Sequence, residues 1–399
     1  MGEQEELLKH MEAEGIIERA SPPEVMRKFE EWEIAEFFGL EYQLHVLARA
    51  ACLALSSRPR EQASEGGPVA VLVFGYPGTG KTALFYLLVE KLARDYQLQV
   101  EALRVDCVRL ASLYGPEEAR RALRHVERWV SEREGHAILF LDGAEVIALE
   151  RDMSRASVLR ELALWARSLW DRRGLLIILA TSHPDMVDDA VRSRVDFLVY
   201  VAPELDREAV RKNIKSFTTY FWRKELLRWA SAAMPERADE LEKELMRIIG
   251  REVVEPVVSG DPQVARLLGQ LAEELVADAE HVCSLRSLYE GVRLAVKLFA
   301  RARLGRLPSR YPRALLAEAE RRLGRRRETP AGDYEEARDA LRSLVRDFIV
   351  EHLAAYLRAL RGPFPLYSDI VRYERQHHEL VKAAKRSMRD LTTVAVLLR

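Results

Sequence analysis

The sequence is short of several things, and each shortage excludes a class of protein. Only three cysteines occur in 399 residues. Cys52, Cys107 and Cys283 lie far apart and none has a CxxC partner, so neither a disulfide framework nor a zinc site follows, and a reducing cytoplasm is the natural compartment. No apolar run approaches the roughly 18 residues a membrane span needs. The opening MGEQEELLKHMEAEG is acidic and has no apolar stretch of the signal-peptide kind. Charge of one sign is missing too: 62 Lys and Arg balance 63 Asp and Glu to a net −1, so affinity for nucleic acid or a membrane surface must come from a local patch. What is present, 48% hydrophobic and 31% charged residues, is the composition of a soluble folded chain with room for two or three domains.

Along the chain, residues 1–31 read as two short charged helices broken at Ser21-Pro22-Pro23, and a polar Ser/Arg/Gly/Pro linker runs over 56–68. Up to about residue 201, short apolar runs at 69–74, 98–105, 137–141, 175–180 and 197–201 alternate with helix-period segments at 81–96, 117–132 and 155–173. Strands buried on both faces and separated by helices predict an α/β fold, a five-stranded parallel sheet with helices on both sides. Beyond Pro203 the pattern is helical. The expected division is a short N-terminal segment (1–31), an α/β domain (32–203), an all-α domain (204–300) and a helical C-terminal extension (301–399). No internal repeat is visible.

The segment 75-GYPGTGKT-82 fits G-x-x-x-x-G-K-[ST], follows a predicted strand and opens a predicted helix. Gly75, Tyr76, Pro77, Gly78, Thr79 and Gly80, with Lys81, Thr82 and Ala83 opening the helix, form the expected phosphate cradle. Backbone N–H groups make an anion nest at a helix N-terminus, and the glycines permit turns and close approach that a Cβ obstructs. Lys81 is expected to reach the β- and γ-phosphates of ATP, and Thr82 to hold Mg²⁺. Asp142 ends the apolar run 137–141, where ligands bind in open α/β sheets and where a carboxylate holds Mg²⁺ through water.

From about Phe37 to Lys297 the order of these pieces resembles the AAA ATPases, a family of ring-forming remodelling machines. The stretch 37-FFGLEYQLHVL-47 is similar to the element that clasps adenine in that family, with Phe38 and Gly39 at its position. The run 176-LIILATSHPDMVDDAVRSRVDF-197 resembles the second region of homology. The resemblance implies a polar sensor at Ser182 and arginine fingers at Arg192 and Arg194, which would reach the nucleotide of a neighbouring subunit. A single Ser193 separates the two arginines where two residues are common. The helix opening near 283-CSLRSLYEGVRLAVKLF-299 resembles the lid helix, with Arg286 as candidate γ-phosphate sensor, so the all-α domain becomes the family's lid. A homo-oligomer, a hexameric ring with ATP at its subunit interfaces, comes with the resemblance.

Family members that thread polypeptides carry an aromatic pore loop after the second strand, and 111-ASLYGPEE-118 stands there. Tyr114 precedes Gly115 directly, without the intervening hydrophobic residue. Two roles suit it: gripping substrate with a flat amphipathic ring, or packing under its own loop.

In the family the residue after the magnesium-associated Asp is a Glu that activates the attacking water. Here it is Gly143. Losing a positioned general base forfeits on the order of a hundred- to ten-thousand-fold in rate. Three readings stay open: an ATP-gated assembly switch without useful turnover, takeover by Glu145 (two residues farther on and expected to point away), or slow hydrolysis resting on positioning, Mg²⁺ and a trans arginine. The presence of Lys81, Thr82 and Asp142 together favours ATP binding with slow or conditional hydrolysis.

The leading expectation is therefore an ATP hydrolase of AAA type that remodels or assembles a protein partner. A DNA-associated ATP switch of the initiator or transposition-regulator kind is the alternative, resting on the basic run 301-RARLGRLPSRYPRALLAEAERRLGRRR-327. A solvated helix face or contact with acidic neighbours explains that run better. A non-hydrolysing subunit beside an active relative is a third possibility.

Overall fold

Six strands meet in one sheet in the order β1-β3-β4-β5-β2-β6. They are β1 (Ile17–Ala20), β2 (Val69–Phe74), β3 (Glu101–Asp106), β4 (Ala137–Asp142), β5 (Leu175–Thr181) and β6 (Phe197–Tyr200). In this computed structural model residues 2–30, 33–55, 69–132, 135–147, 174–203, 205–233, 235–277, 285–325, 331–359 and 367–397 are described. The expected helix 155–173, the linker 56–68 and Cys283 lie outside them.

The five strands expected to be parallel are parallel, with Phe74 level with both Thr181 and Tyr200, and Asp106 level with Asp142. The sheet has one strand more than expected. β1 pairs antiparallel with β3, Ile17 opposite Val105 and Ala20 opposite Ala102. Its sequence, IERA, is too short and too charged to show alternation, so nothing in it signalled a strand. A short charged strand is nonetheless how a sheet edge is blunted against unwanted pairing. The central strands of the sheet are apolar on both faces. Val71, Leu72, Val73 and Phe74 of β2 and Ile138 to Leu141 of β4 are all sealed from solvent, as parallel strands between helical layers must be.

Helices α1 (Gly2–Ala13), α2 (Pro22–Glu30), α3 (Glu41–Leu55), α4 (Lys81–Tyr96), α5 (Cys107–Leu113), α6 (Pro116–Glu132) and α7 (Ala144–Ile147) alternate with these strands. In α4 the buried side chains Leu84, Phe85, Leu88, Val89 and Leu92 recur at helical spacing. The helix stops at Gln97, which takes a left-handed conformation (φ 52°) and returns its N–H to the Leu92 carbonyl.

The described chain forms two compact units, and they interleave in sequence. One comprises 1–26, 40–202 and 371–399, the other 27–39 and 203–370. The C-terminal residues thus return to the α/β unit. There the helix His378–Leu397 lies along β6, where Ser387 Oγ accepts the Leu198 N–H at 3.0 Å.

The second unit is helical. Its long helix, Arg207–Ser231, is capped by Asp206, whose carboxylate accepts the Ala209 N–H at 2.7 Å. Phe217, Phe221 and Trp222 are buried in its core, Trp222 edge-on to Phe348 at 5.5 Å, as expected of helix-packing aromatics. The same core holds a fully buried Arg223, paired with Glu255 at 2.7 Å. Room for the guanidinium comes from Gly250, in a π-helical swelling (Ile249–Val254), where a Cβ would stand 3.0 Å from Arg223 Nε.

Phe38 and Gly39 belong to this helical unit. Fully buried Asn213 holds them by reciprocal bonds, its Oδ1 accepting the Phe38 N–H at 3.0 Å and its Nδ2 donating to the Phe38 carbonyl at 2.9 Å. Asn213→Ala removes both bonds and strands two backbone groups, at a cost of about 2 kcal/mol. Denaturant unfolding should show this as a lowered midpoint with an unchanged slope. A variant as stable as wild type would mean that Phe38 is held by other contacts.

Candidate active site

The carboxyl edge of the sheet gathers the groups that the sequence singles out. β2 lies between β5 and β6, and its C-terminal end feeds the loop 75–80 directly into α4. Gly78 (φ 83°) and Gly80 (φ 99°) are left-handed. Gly75 is glycine for a different reason, since a Cβ there would stand 2.4 Å from the Val201 carbonyl oxygen. The loop is braced internally by Thr79, buried, whose hydroxyl donates to the Tyr76 carbonyl at 2.9 Å.

Lys81 folds back under this loop, donating to the carbonyls of Gly75 at 2.8 Å and Tyr76 at 3.0 Å. Burial pushes its ammonium down to about 8, against the opposing pull of Glu145 and Asp142. Next along the helix, the Thr82 hydroxyl donates to Asp142 Oδ2 at 2.9 Å. The two residues expected to share Mg²⁺ are therefore brought together at one edge of the sheet, and a hydroxyl and a carboxylate are both oxygen donors that suit a hard cation. Ala83 follows in the first turn of α4, half-buried.

The same carboxylate oxygen has another partner, which no sequence motif announced. Arg104, on neighbouring β3, gives Asp142 Oδ2 two bonds, from Nη2 at 2.8 Å and Nε at 3.1 Å. Behind it stands Glu18 of β1 at 3.8 Å, which accepts the Tyr86 hydroxyl at 2.5 Å. Pairing in the sheet is the signal that would have found Arg104, because it lies two residues before Asp106, level with Asp142.

On the other side of β4, Ser182 follows β5 directly, and its N–H points to Glu145 Oε1 at 3.4 Å. Glu145, expected to point away, instead turns inward (a correction considered below). Tyr373, from the returning C-terminal segment, meets Tyr76 edge-on at 5.9 Å. It too was missed, since nothing in the sequence ties residue 373 to the loop.

The other candidate residues lie on other elements. Arg192 closes a short helix (Asp189–Arg192) and pairs with Asp189, while Arg194 follows in the next turn. Arg286 is exposed near the start of the helix Leu285–Leu304 in the helical unit. The Tyr114 hydroxyl donates to Glu14 Oε2 at 2.9 Å, so its ring is tied to the N-terminal segment, while its neighbour Leu113 is exposed. In the basic run, Arg310, Arg321, Arg322 and Arg325 pair with Glu336, Glu318, Glu252 and Glu240 of their own unit. That is the contact with acidic neighbours weighed from sequence. Among the described residues no cluster of three His, Cys, Asp or Glu is arranged to hold a metal alone, and no helix is long and apolar enough to cross a membrane.

A glycine-rich loop between a central parallel strand and a helix, with a lysine, a threonine and a strand-end carboxylate converging beneath it, defines a P-loop nucleotide-binding unit. Residues 71–203 match the profile of the ATPase family associated with various cellular activities (AAA), so the α/β unit carries an AAA domain. Over 194 residues it is 25% identical to a putative 26S proteasome regulatory subunit homolog of Methanocaldococcus jannaschii, covering 46% of this chain and 48% of the relative. It is 30% identical over 174 residues to the proteasome-activating nucleotidase of Methanosarcina mazei, covering 41% and 39%. These matches span less than half of either relative. The crystal structure of the FIGL-1 AAA domain in complex with ADP matches 87% of this chain and 89% of its own, with a TM-score of 0.50 and 16% identity, a likeness of fold.

Two outcomes follow from the geometry. Because Arg104 occupies the Asp142 oxygen that a cation needs, Arg104→Gln should lower the Mg²⁺ concentration that half-saturates ATP binding by roughly three- to tenfold, the worth of a partly exposed charge-assisted bond. A magnesium titration at fixed ATP checks this, and an unchanged midpoint counts against competition. Lys81 releases its proton near pH 8 in the free protein, and a polyphosphate beside it restores the charge. ATP binding should therefore take up a proton above about pH 8 and weaken as pH rises further. Calorimetry in buffers of different ionisation enthalpy measures the uptake, which Lys81→Met should abolish.

Proposed function

We propose that this protein is an AAA-type ATPase that binds Mg·ATP at the loop 75–82 and uses it, with slow or conditional hydrolysis, to remodel or assemble a protein partner. The observation that carries this reading is the convergence of Lys81, Thr82 and Asp142 at the carboxyl edge of the sheet. The loop and Lys81 would cradle the phosphates, Thr82 and Asp142 would hold Mg²⁺, and the metal when bound would neutralise charge between β- and γ-oxygens. Ser182 would touch the γ-phosphate side. Phe38 and Gly39 would clasp the base, and Arg286 would sense the γ-phosphate from the lid.

Arg192 and Arg194 suit a neighbouring subunit's nucleotide. Arg192 closes the short helix Asp189–Arg192, where it pairs with Asp189, and Arg194 follows in the next turn. This supports a homo-oligomeric ring, with ATP at its interfaces. The named relatives, a proteasome regulatory homologue and a proteasome-activating nucleotidase, make a protein partner the natural cargo. The pairing of the basic run within its own unit weighs against DNA. For Tyr114 the tie to Glu14 favours a loop-bracing role over gripping, and exposed Leu113 is the better placed apolar contact.

Gly143 enters this reading as a backbone requirement. It is left-handed (φ 74°), and a Cβ there would stand 2.7 Å from Val108 Cγ2. Gly143→Glu should therefore leave turnover at or below wild type and lower stability, despite supplying the acid usual in the family. Mass photometry with and without Mg·ATP should show nucleotide-dependent assembly in wild type, lost in Lys81→Ala and in Arg192→Ala/Arg194→Ala. Particles of one size in every condition would sink the trans-arginine reading.

A further inference from the structure

Among the described residues one carboxylate oxygen is buried with no hydrogen-bond donor, and it is Oε2 of Glu145. Its sister oxygen receives only the long 3.4 Å contact from the Ser182 N–H. An ionised oxygen taken from water without a donor is costly, and where one persists it marks a place for a group that the protein itself does not supply. The direction in which Glu145 faces identifies that group. The Ser182 contact puts the carboxylate at the end of β5, the strand beside β2, whose end feeds the phosphate loop, and its charge acts on the Lys81 ammonium there. It also acts on Cys107, behind β4, and on Tyr373, beside Tyr76. The carboxylate thus stands beside Ser182, at the same carboxyl edge of the sheet that carries the loop and Lys81.

The local sequence explains how it gets there. β4 ends at Asp142, and left-handed Gly143 reverses the chain at once, so α7 opens with buried Ala144, and the Val146 N–H returns to the Gly143 carbonyl at 3.1 Å. A β-region residue at 143 would continue the strand and carry Glu145 away. The glycine that removes one acid from the site swings another into it.

We propose that Glu145 orients and deprotonates the attacking water in ATP hydrolysis. This rests on the reading that Mg·ATP binds at Lys81, Thr82 and Asp142. Water would donate one O–H to Glu145 Oε2 while its oxygen bonds to the γ-phosphorus. The bond from that phosphorus to the β–γ bridging oxygen breaks, its electron pair leaving with ADP. Hydrogen phosphate forms, and the proton passes from Glu145 to solvent. No further reactant is needed.

The test sets turnover against binding in wild type, Glu145→Gln, Glu145→Asp and Lys81→Ala, with a fluorescent ATP analogue for affinity and phosphate release for rate. Glu145→Gln is isosteric and should bind ATP within about threefold of wild type while kcat falls on the order of a hundredfold or more, the worth of a positioned base. Glu145→Asp, which keeps the carboxylate, should recover part of the rate. A Glu145→Gln variant that retains more than about a third of wild-type kcat would overturn the assignment, as would a wild type that binds ATP without measurable turnover. Both leave the binding site standing. If wild type binds no better than Lys81→Ala, the Mg·ATP reading itself fails.

Discussion

One carboxylate oxygen, Oδ2 of Asp142, organises the α/β unit. Thr82 reaches it from α4 and Arg104 from β3, so three neighbouring elements are tied at the edge where β4 ends. The order β3-β4-β5-β2 makes this possible, because the phosphate loop and the acid lie one strand apart, with Ser182 at the end of the strand between. Lys81 is the second charge in the balance. Buried beneath its loop, it is held by carbonyls and by the field of Glu145 and Asp142. The site's two cations thus already face carboxylates of the protein itself, Arg104 with Glu18, Asp106 and Asp142 around it, and Lys81 in the field of Glu145 and Asp142. A magnesium triphosphate bound as proposed would bring both signs at once and exchange these partners, at far less cost than desolvating either alone.

Glycine does opposite work at two places in this edge. At position 75 the constraint is steric, since the Val201 backbone just past β6 lies where a side chain would begin. At 143 it is conformational as well, because the left-handed turn sets the direction of everything after β4. Seen as a missing side chain, Gly143 is a deletion from the catalytic apparatus. Seen as a backbone angle, it is the device that places Glu145 beside Ser182. The two views differ in what they count as the functional group, and the buried donorless oxygen of Glu145 favours the second.

This difference marks the limit of what was legible. Strand β2, the loop and helix α4 fell where periodicity and the glycine pattern put them, because those signals are local. The parallel sheet followed from apolar runs for the same reason. β1 did not, since four residues with two charges carry no period, and their strand identity comes from β3 beside them. Arg104 and Tyr373 were invisible because their partners are set by register and by a chain return 300 residues away from the loop. The inward turn of Glu145 was misjudged because side-chain direction after a strand depends on a φ angle that spacing alone does not reveal. In the helical unit, the pairing of the 301–325 arginines with glutamates was anticipated as one option. Only the fold could choose it over a phosphate-binding face.

The two ends of the α/β unit's chain close its sheet, and the same additions complete its site. An open parallel sheet presents two edges of unpaired backbone, and each must be covered or paired. At the β3 edge, β1 supplies the pairing and carries Glu18 to within reach of Arg104. At the β6 edge, the helix His378–Leu397 lies along the strand and Ser387 takes up the Leu198 N–H, while the preceding helix Tyr367–Gln376 brings Tyr373 to Tyr76. Residues that look dispensable for nucleotide chemistry, 1–26 and 371–399, therefore form the outer layer of the site because they first had to satisfy the sheet. That ordering of causes explains why their contribution is built from ordinary edge-covering contacts, and why no phosphate-binding or metal-binding motif in either segment foretold it.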